Sequence, residues 1–260
     1  MSLKGKIALI TAAGSGIAKK TALCFAKSGA RLFICDINPE TLSQTETELK
    51  TLGAEVHSAV YDGGSTDSIR AMFEEHIKQY GDIDVLVNIT GIAGPTKPMD
   101  EVTLDEWNDS LAVNLTGTFY LTQLAVPYMK AKKSGKIVNM SSQTGKRPLV
   151  NRIPYCTTKI GIIGMTRCLA EELGAYNINV NSICPYNVGG ARIEMLIQRE
   201  IERTGKTRDE ILAGVTATSF IKRQVKEEDI ANTIAFLCDD ELSSSITGQD
   251  VNINCGLPHS

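Results

Sequence analysis

Short apolar runs alternate with segments of helical periodicity along the whole chain of 260 residues. This alternation is typical of parallel strands joined by crossover helices, because a parallel strand needs a long connection to reach its neighbour. The runs are apolar almost throughout, which indicates strands that are buried on both faces of a sheet. The predicted strands are Ile7–Thr11, Arg31–Asp36, Glu55–Tyr61, Val85–Ile89, Gly135–Met140, Ile178–Ile183 and Asp250–Asn254.

Helices are predicted between these strands, and their end residues support the assignment. Pro39 lies just inside a predicted helix start, and Gly29 and Gly81 lie just past predicted ends. The predicted helices are Gly16–Ser28, Pro39–Thr51, Thr66–Tyr80, Leu111–Lys132, Tyr155–Gly174 and Glu227–Leu237. Residues 185–220 interrupt the alternation and are predicted to form an irregular substrate loop or lid. The sequence therefore predicts a single α/β domain over residues 1–260, with a doubly wound, seven-stranded parallel sheet and helices on both faces.

Composition and charge argue against several classes of protein. A net charge of −3 lacks the basic excess of proteins that bind nucleic acid or anionic membrane surfaces. No apolar run is long enough to span a bilayer, and the N-terminus lacks the layout of a signal peptide, so a cytoplasmic protein is expected. The 7 cysteines are scattered and the 3 histidines belong to no motif, so we predict neither a metal site nor histidine-based catalysis.

A turn of small residues follows the first predicted strand and opens the first predicted helix. It reads Thr11-Ala12-Ala13-Gly14-Ser15-Gly16-Ile17-Ala18. Such a turn lets backbone N–H groups approach a pyrophosphate at the positive end of a helix. The next strand ends at Asp36, where a carboxylate can accept hydrogen bonds from the adenosine ribose. A glycine turn alone is weak evidence and Asp36 alone also fits a helix cap, but their order favours dinucleotide binding.

Asp36 also bears on the choice between two dinucleotides. The 2′-phosphate of NADP would meet a like charge at Asp36. Neither Ser15 nor Ile37 offers a cation that would receive this phosphate. The predicted cofactor is therefore NAD.

A tyrosine and a lysine four residues apart open the helix that is predicted after the fifth strand. Tyr155 and Lys159 share one helical face, so the ammonium lies near the phenol. An opposite charge at that range lowers a pKa by roughly 1–3 units. The pKa of Tyr155 would then fall from about 10 towards working pH, where a general acid or base is most effective. Such a pair also occurs by chance on helix surfaces, so its meaning depends on the surrounding motifs.

Further polar elements follow the predicted strands and complete an ordered set. Asn88-Ile89-Thr90-Gly91 ends the fourth strand, Asn114 lies in the next helix, and Gly135 to Ser142 ends the fifth strand on a serine. This set resembles the short-chain dehydrogenase/reductase family along essentially the whole chain. Thr11 to Ala18 is similar to the family's Thr-Gly-x-x-x-Gly-x-Gly turn, and Tyr155 to Lys159 matches its Tyr-x-x-x-Lys motif.

The resemblance implies a Rossmann-like, NAD-dependent oxidoreductase that acts on CH–OH groups. Ser142 would hold the substrate oxygen, and Tyr155 would transfer the proton. Lys159 would activate the tyrosine and bond to the nicotinamide ribose, and Asn114 would order a water that relays the proton. Cofactor binding is predicted for Gly14, Ser15, Gly16, Ile17, Asp36, Ile37, Asp62, Gly63, Asn88, Gly91, Tyr155, Lys159, Pro185 and Val188. Substrate contacts are predicted for Ser142, Tyr155, Tyr186 and Arg192.

The sequence departs from the family's pattern near the cofactor. Ala12 and Ala18 replace glycines of the turn, and a methyl group at position 12 predicts weaker or slightly displaced NAD binding. After Pro185, Tyr186 and Gly190 stand where the family usually has glycine and threonine. The side chain that usually contacts the carboxamide is therefore missing. The resemblance also implies a homotetramer, built through the helices at Leu111–Lys132 and Tyr155–Gly174 and the C-terminal strand.

The sequence leaves the substrate open. The leading hypothesis is a small polar secondary alcohol or its ketone. An alternative is a 3-oxoacyl thioester (ACP or CoA) reductase, although such enzymes usually use NADPH and carry an arginine where this chain has Ser15. A third reading is a non-catalytic dinucleotide sensor, although sensors typically lose the tyrosine or the lysine.

An anionic substrate is a minority hypothesis, because each nearby basic residue taken singly is more typical of solvated surface. These residues are Lys146, Arg147, Arg152 and Arg192.

Overall fold

The computed structural model describes residues 1–257, apart from the side chains of Ala191, Arg192, Leu196 and Arg199. The strands are β1 (Ile7–Thr11), β2 (Arg31–Asp36), β3 (Val56–Val60), β4 (Val85–Asn88), β5 (Gly135–Met140), β6 (Ile178–Pro185) and β7 (Asp250–Ile253). The helices are α1 (Gly16–Lys27), α2 (Pro39–Thr51), α3 (Thr66–Tyr80), α4 (Leu104–Leu111), α5 (Gly117–Lys132), α6 (Ile153–Leu173), α7 (Ala191–Thr204), α8 (Arg208–Thr216), α9 (Glu227–Cys238) and α10 (Asp240–Ser243).

The strands form one parallel sheet in the order β3-β2-β1-β4-β5-β6-β7. The chain therefore builds one half of the sheet outward from β1 and the other half outward from β4. This arrangement confirms the predicted doubly wound, seven-stranded parallel fold. The predicted strands are all present with small differences at their ends. For example, β6 continues to Pro185 instead of ending at Ile183.

Each strand contributes to two hydrophobic cores, because successive side chains point to opposite faces of the sheet. In β1, Ile10 packs in the core that also contains Phe25 of α1 and Ile234 of α9. Its neighbour Leu9 packs in the opposite core, with Leu121 of α5. Burial on both faces explains why the strands appear in the sequence as continuous apolar runs.

A row of hydrogen-bonded polar side chains crosses the interior of the sheet. The Asn88 amide of β4 donates to Asn139 Oδ1 of β5 at 2.9 Å and to Thr122 Oγ1 of α5 at 3.1 Å. The Asn139 amide donates in turn to Thr166 Oγ1 of α6 at 3.0 Å. All of these side chains are buried. Since a buried polar group without a partner costs about 1–3 kcal/mol, the row fixes α5 and α6 against β4 and β5.

The helix that was predicted to begin at Leu111 begins instead at Leu104. Thr103 accepts the N–H of Glu106, and the Glu106 carboxylate accepts the N–H of Thr103, which completes a capping box. The helix then widens into a π-helical turn over Ala112–Thr116 before α5 begins.

The prediction of an irregular segment over residues 185–220 was wrong, because this segment contains α7 and α8. α8 also begins with a capping box, formed by Thr207 and Glu210. α7 follows Gly190, whose φ of +131° favours glycine. Whether the two helices act as a lid over the substrate stays a prediction.

We expect Asn139→Ala to lower the free energy of unfolding by about 2–4 kcal/mol, because it leaves donors and acceptors of Asn88 and Thr166 unpaired in the core. Urea unfolding measures the change. Asn108→Ala, at an exposed position of α4, is the matched control and should change the value by less than about 0.5 kcal/mol. Equal effects of the two substitutions would contradict the role of the buried row.

Candidate active site

A cleft of ≈490 Å³ opens at the carboxyl edge of the sheet, beside the paired strands β1 and β4. Its volume lies in the range of small-molecule sites, about 300–1,000 Å³. Its walls come from the turn after β1, the ends of β5 and β6, and the first turns of α6. The residues assigned from the sequence that line it are Ser15, Gly16, Ile17, Gly91, Ser142, Tyr155, Lys159, Pro185, Tyr186 and Val188.

The turn between β1 and α1 presents the start of a helix to the cleft. Ser15 occupies the N-cap position without capping the helix through its side chain, so no side chain competes there for the first N–H groups. Gly16 has a φ of +57°, and Ala12 has a φ of +60°. A left-handed backbone costs a residue other than glycine roughly 1–2 kcal/mol. The alanine at position 12 therefore keeps the shape of the turn under local strain.

Asp36 lies directly behind this turn. Its Oδ2 accepts the N–H of Gly14 at 2.9 Å, and its Oδ1 accepts the N–H of Asn38 at 2.9 Å. A Cβ atom at Gly14 would lie 3.0 Å from the carboxylate carbon of Asp36 and closer still to Thr41 Oγ1, so only glycine fits. Gly14, Asp36 and the 66% exposed Ile37 are not part of the cleft lining, but they border it next to Ser15.

Other residues that were assigned to the cofactor lie away from the cleft lining. Asp62 is exposed, and its Oδ1 accepts the N–H of Gly64 at 2.8 Å. Gly63 packs against Thr90, where a Cβ atom would lie 2.7 Å from Cγ2. The side-chain amide of Asn88 belongs to the buried row between β4 and β5, so its predicted contact with the cofactor stays a prediction.

Ser142, Tyr155 and Lys159 line the same cleft. The Ser142 hydroxyl accepts the N–H of Thr144 at 3.2 Å, at the start of a 3₁₀ turn over Gln143–Gly145. The side chain of Lys159 is nearly fully buried, and its Nζ donates to the Met140 carbonyl at 2.8 Å. The same Nζ lies 5.5 Å from the centroid of the Tyr155 ring. The structure therefore brings a hydroxyl, a phenol and an ammonium together in one cavity.

Asn114 lies in the π-helical turn and holds the loop after β4. Its Oδ1 accepts the N–H of Ile92 at 2.7 Å, and its Nδ2 donates to the Ile92 carbonyl at 3.0 Å and to Thr158 Oγ1 at 3.2 Å. A Cβ atom at Gly91 would lie 3.1 Å from Asn114 Oδ1 and 3.5 Å from Lys159 Nζ. Asn114 is therefore placed behind Gly91 rather than in the cleft lining. Its role in ordering a water stays a prediction.

Glu227 is a cleft residue that the sequence did not reveal. It opens α9 and lines the cleft against the turn, with Oε1 3.5 Å from the position of a Cβ atom at Gly16. It also fills the space beside Gly190, where a Cβ atom would lie 3.2 Å from the Glu227 carboxyl carbon. Burial raises the pKa of the Glu227 carboxyl, and the nearby Lys20 opposes this shift. Acidic residues are ordinary in the first turn of a helix, so no local pattern singled it out.

Arg152 is the second such residue. It precedes α6 and lines the cleft, with its guanidinium carbon 4.9 Å from the centroid of the Tyr155 ring. In the sequence it was one of several basic residues with no feature to distinguish it. The predicted contact with Arg192 lies outside the described side chains.

Within residues 1–257, no group of three or more His, Cys, Asp or Glu side chains is arranged to hold a metal ion. In the same part of the chain, no helix combines the length and the apolar character that crossing a membrane requires.

The fold and the site together define the class of protein. The doubly wound sheet, the uncapped start of α1 and the nearby carboxylate of Asp36 fit a dinucleotide. Ser142, Tyr155 and Lys159 line the same cleft. The family model described as short chain dehydrogenase matches residues 6–202. The chain therefore belongs to the short-chain dehydrogenase family of oxidoreductases, as the sequence motifs predicted.

Similarity to other oxidoreductases covers nearly the whole chain. A 3-oxoacyl-[acyl-carrier-protein] reductase of Thermotoga maritima is 37% identical over 257 residues, which is 99% of each chain. The solved structure of an NAD⁺-bound xylitol dehydrogenase has a TM-score of 0.90 and 28% identity, over 97% of this chain and 99% of that one. An actinorhodin polyketide ketoreductase with NADPH has a TM-score of 0.92 and 31% identity over 100% of both chains. The two solved structures hold different nicotinamide dinucleotides.

Glu227 is expected to weaken dinucleotide binding, because its carboxylate lies beside the turn that receives an anionic pyrophosphate. Protonation removes this repulsion, so NADH should bind more tightly as the pH falls from neutral towards 4.5, the ordinary pKa of a glutamate. Lys20 and Glu228 are the other charged groups that act on Glu227. Glu227→Gln should tighten binding by about 3- to 10-fold at neutral pH and reduce its pH dependence.

Fluorescence titration with NADH measures the dissociation constant across this pH range. Glu75→Gln, an exposed position of α3, makes the same change in charge away from the cleft and should leave binding unchanged. Weaker binding in Glu227→Gln would show instead that the carboxyl contacts the cofactor favourably.

Proposed function

We propose that this protein is an NAD(H)-dependent dehydrogenase/reductase that interconverts a small polar secondary alcohol and its ketone. The observation that carries the proposal is the cleft that Ser142, Tyr155 and Lys159 share with the turn before α1. That turn fits the pyrophosphate of a dinucleotide, whereas the three side chains fit proton transfer at an oxygen.

Each side chain has a distinct part in the proposed reaction. When bound, the nicotinamide supplies or accepts the hydride at the substrate carbon. Ser142 holds the substrate oxygen through its hydroxyl, which the Thr144 N–H orients. Tyr155 donates a proton to the ketone oxygen during reduction and removes it from the alcohol during oxidation. Lys159 places a positive charge, held by the Met140 carbonyl, beside the phenol that gives up its proton.

The NAD preference rests on Asp36. Both of its oxygens are held by backbone N–H groups, so the carboxylate cannot easily turn away from an adenosine ribose at this border of the cleft. A 2′-phosphate would bring like charges together there. The exposed Ile37 next to it supplies no cation to offset the repulsion.

A second candidate function is the reduction of a 3-oxoacyl thioester. It is favoured by the 37% identity to the reductase of Thermotoga maritima. The carboxylate at Asp36 and the serine at position 15 favour NAD and the first candidate. Activity with NADH and NADPH across small polyols, hydroxy acids and 3-oxoacyl thioesters distinguishes the two.

Assembly and the lid are further parts of the proposal. Phe119 of α5 and Ile160 of α6 are 49% and 50% exposed, which supports a homotetramer built through these helices. Ile193 of α7 lines the cleft, which supports a role for α7 and α8 in closing over the substrate. A cytoplasmic location stays a prediction.

Tyr155→Phe should lower the turnover rate by about 10²- to 10⁴-fold, because it removes the proton donor and keeps the ring. The binding of NADH should be unchanged, since no other group of the cleft is altered. Steady-state assays and NADH titration measure the two quantities. Tyr176→Phe, after α6, is the matched control and should keep full activity. Parental turnover in Tyr155→Phe would exclude the proton-transfer role and favour a dinucleotide sensor.

Asp36→Asn should reduce the preference for NAD over NADP by about 10- to 100-fold in kcat/KM, because it removes the charge that repels the 2′-phosphate. The amide oxygen can still accept the N–H of Gly14, so the turn should be preserved. Parallel assays with both cofactors measure the ratio. Asp67→Asn, an exposed position of α3, should leave it unaltered. A wild type that prefers NADP would refute the assignment of Asp36.

A further inference from the structure

Arg152 carries a positive charge that lines the cleft, and no described carboxylate pairs with it. Its guanidinium carbon lies 4.9 Å from the centroid of the Tyr155 ring, so the charge is located at the reacting end of the cleft. Within the described part of the chain, none of the ion pairs includes Arg152, whereas Lys97 and Lys146 do form such pairs. A guanidinium cannot be deprotonated in a protein, so this charge is permanent.

Two other cations of this region, Lys146 and Lys97, do have carboxylate partners. Lys146, which follows the 3₁₀ turn next to Ser142, pairs with Asp250 Oδ2 at 2.6 Å. Lys97, whose backbone N–H bonds to the Asn151 carbonyl, pairs with a glutamate at 2.8 Å. Among the described residues, Arg152 thus differs from Lys146 and Lys97 in lacking a carboxylate partner, and from the exposed Arg147 in lining the cleft.

The guanidinium is held in place and retains unused hydrogen-bonding capacity. Its Nη1 donates to Thr96 Oγ1 at 2.7 Å. The guanidinium also lies over the Tyr155 ring in a cation–π contact. Its Nε is buried and has no acceptor among the described residues. Because a buried donor without a partner costs free energy, an acceptor that arrives with a ligand would stabilise the site. Arg152 is therefore a positioned donor rather than a mobile surface side chain.

We propose that Arg152 binds the carboxylate of the substrate, so that the enzyme acts on a short-chain oxo acid and the corresponding hydroxy acid. This rests on the proposed function, because it assigns the reacting oxygen to Ser142 and Tyr155. The guanidinium lies against the same ring whose hydroxyl meets that oxygen, so the carboxylate is only a few bonds from the reacting carbon. Planar carboxylates suit the donor geometry of arginine. A neutral polyol or a thioester presents no charge at that place.

The test uses ketones in pairs that differ in the charge of one group: pyruvate, acetoacetate and levulinate, each with its methyl ester. With NADH as reductant, the wild type should reduce at least one acid with a kcat/KM about 10-fold or more above that of its ester. In Arg152→Gln, kcat/KM for that acid should fall about 10- to 100-fold, mainly through KM, while that for the ester changes little. Arg152→Lys keeps the charge and should recover part of the loss.

Arg147→Gln is the matched control, because it removes the same charge from an exposed position outside the cleft. It should leave both kcat/KM values unchanged. Wild-type esters that react as well as the acids would overturn the proposal. An equal loss for acid and ester in Arg152→Gln would also overturn it, since a merely structural role through Thr96 affects both. Should Arg152→Gln fail to fold, two measurements still test the proposal: the ratio of kcat/KM for acid and ester in the wild type, and the same ratio in Arg152→Lys.

A binding experiment separates this proposal from the proposed function. Tyr155→Phe loaded with NADH is titrated with each acid and ester, with and without Arg152→Gln, and the NADH fluorescence is followed. If the wild type reduces no ketone but an acid binds and requires Arg152, the reductase function fails and the carboxylate site stands. If acids and esters bind equally, or neither binds, the carboxylate site is overturned whatever the enzyme reduces.

Discussion

The parallel pairing of β1 with β4 is the constraint on which the site depends. The two halves of the sheet extend in opposite directions from this pair, so the segments that follow β1 and β4 diverge and leave a crevice between them. Thr11 joins the two sides of the crevice: its hydroxyl accepts the N–H groups of Ile89 and Thr90 at 2.9 and 3.0 Å. The turn that faces the cofactor and the loop that leads to Gly91 are therefore held in one arrangement.

Backbone groups orient two of the three side chains assigned to proton transfer in this cleft, those of Ser142 and Lys159. The Met140 carbonyl holds the ammonium of Lys159, and the Thr144 N–H holds the hydroxyl of Ser142. Both backbone groups belong to β5 or to the turn directly after it, which the sheet keeps in place. Side chains restrained in this way lose little entropy when a substrate binds, which is the condition for efficient positioning.

Much of this molecule could be predicted because its signals are local. Apolar runs and turn residues predicted every strand, and the resemblance of the ordered motifs to the family predicted that Ser142, Tyr155 and Lys159 would share one site. The helices α4 and α8 were missed although Thr103 and Thr207 begin capping boxes, because both helices are short. The buried row of Asn88 and Asn139 was not predicted, because sequence spacing does not say which polar side chains of neighbouring strands will pair.

The sequence by itself determined the fold class, the family and the order of the reactive groups along the chain, since periodicity and motif spacing are properties of neighbouring residues. Only the tertiary structure decided which charges share the cleft. Within residues 1–257, it placed Glu227 against the turn before α1, left Arg152 in the cleft without a carboxylate partner among the described side chains, and paired Lys146 with Asp250. The contacts of Glu227 with the turn, of Lys146 with Asp250 and of Arg152 with Thr96 join residues that are remote in sequence, so no local pattern records them.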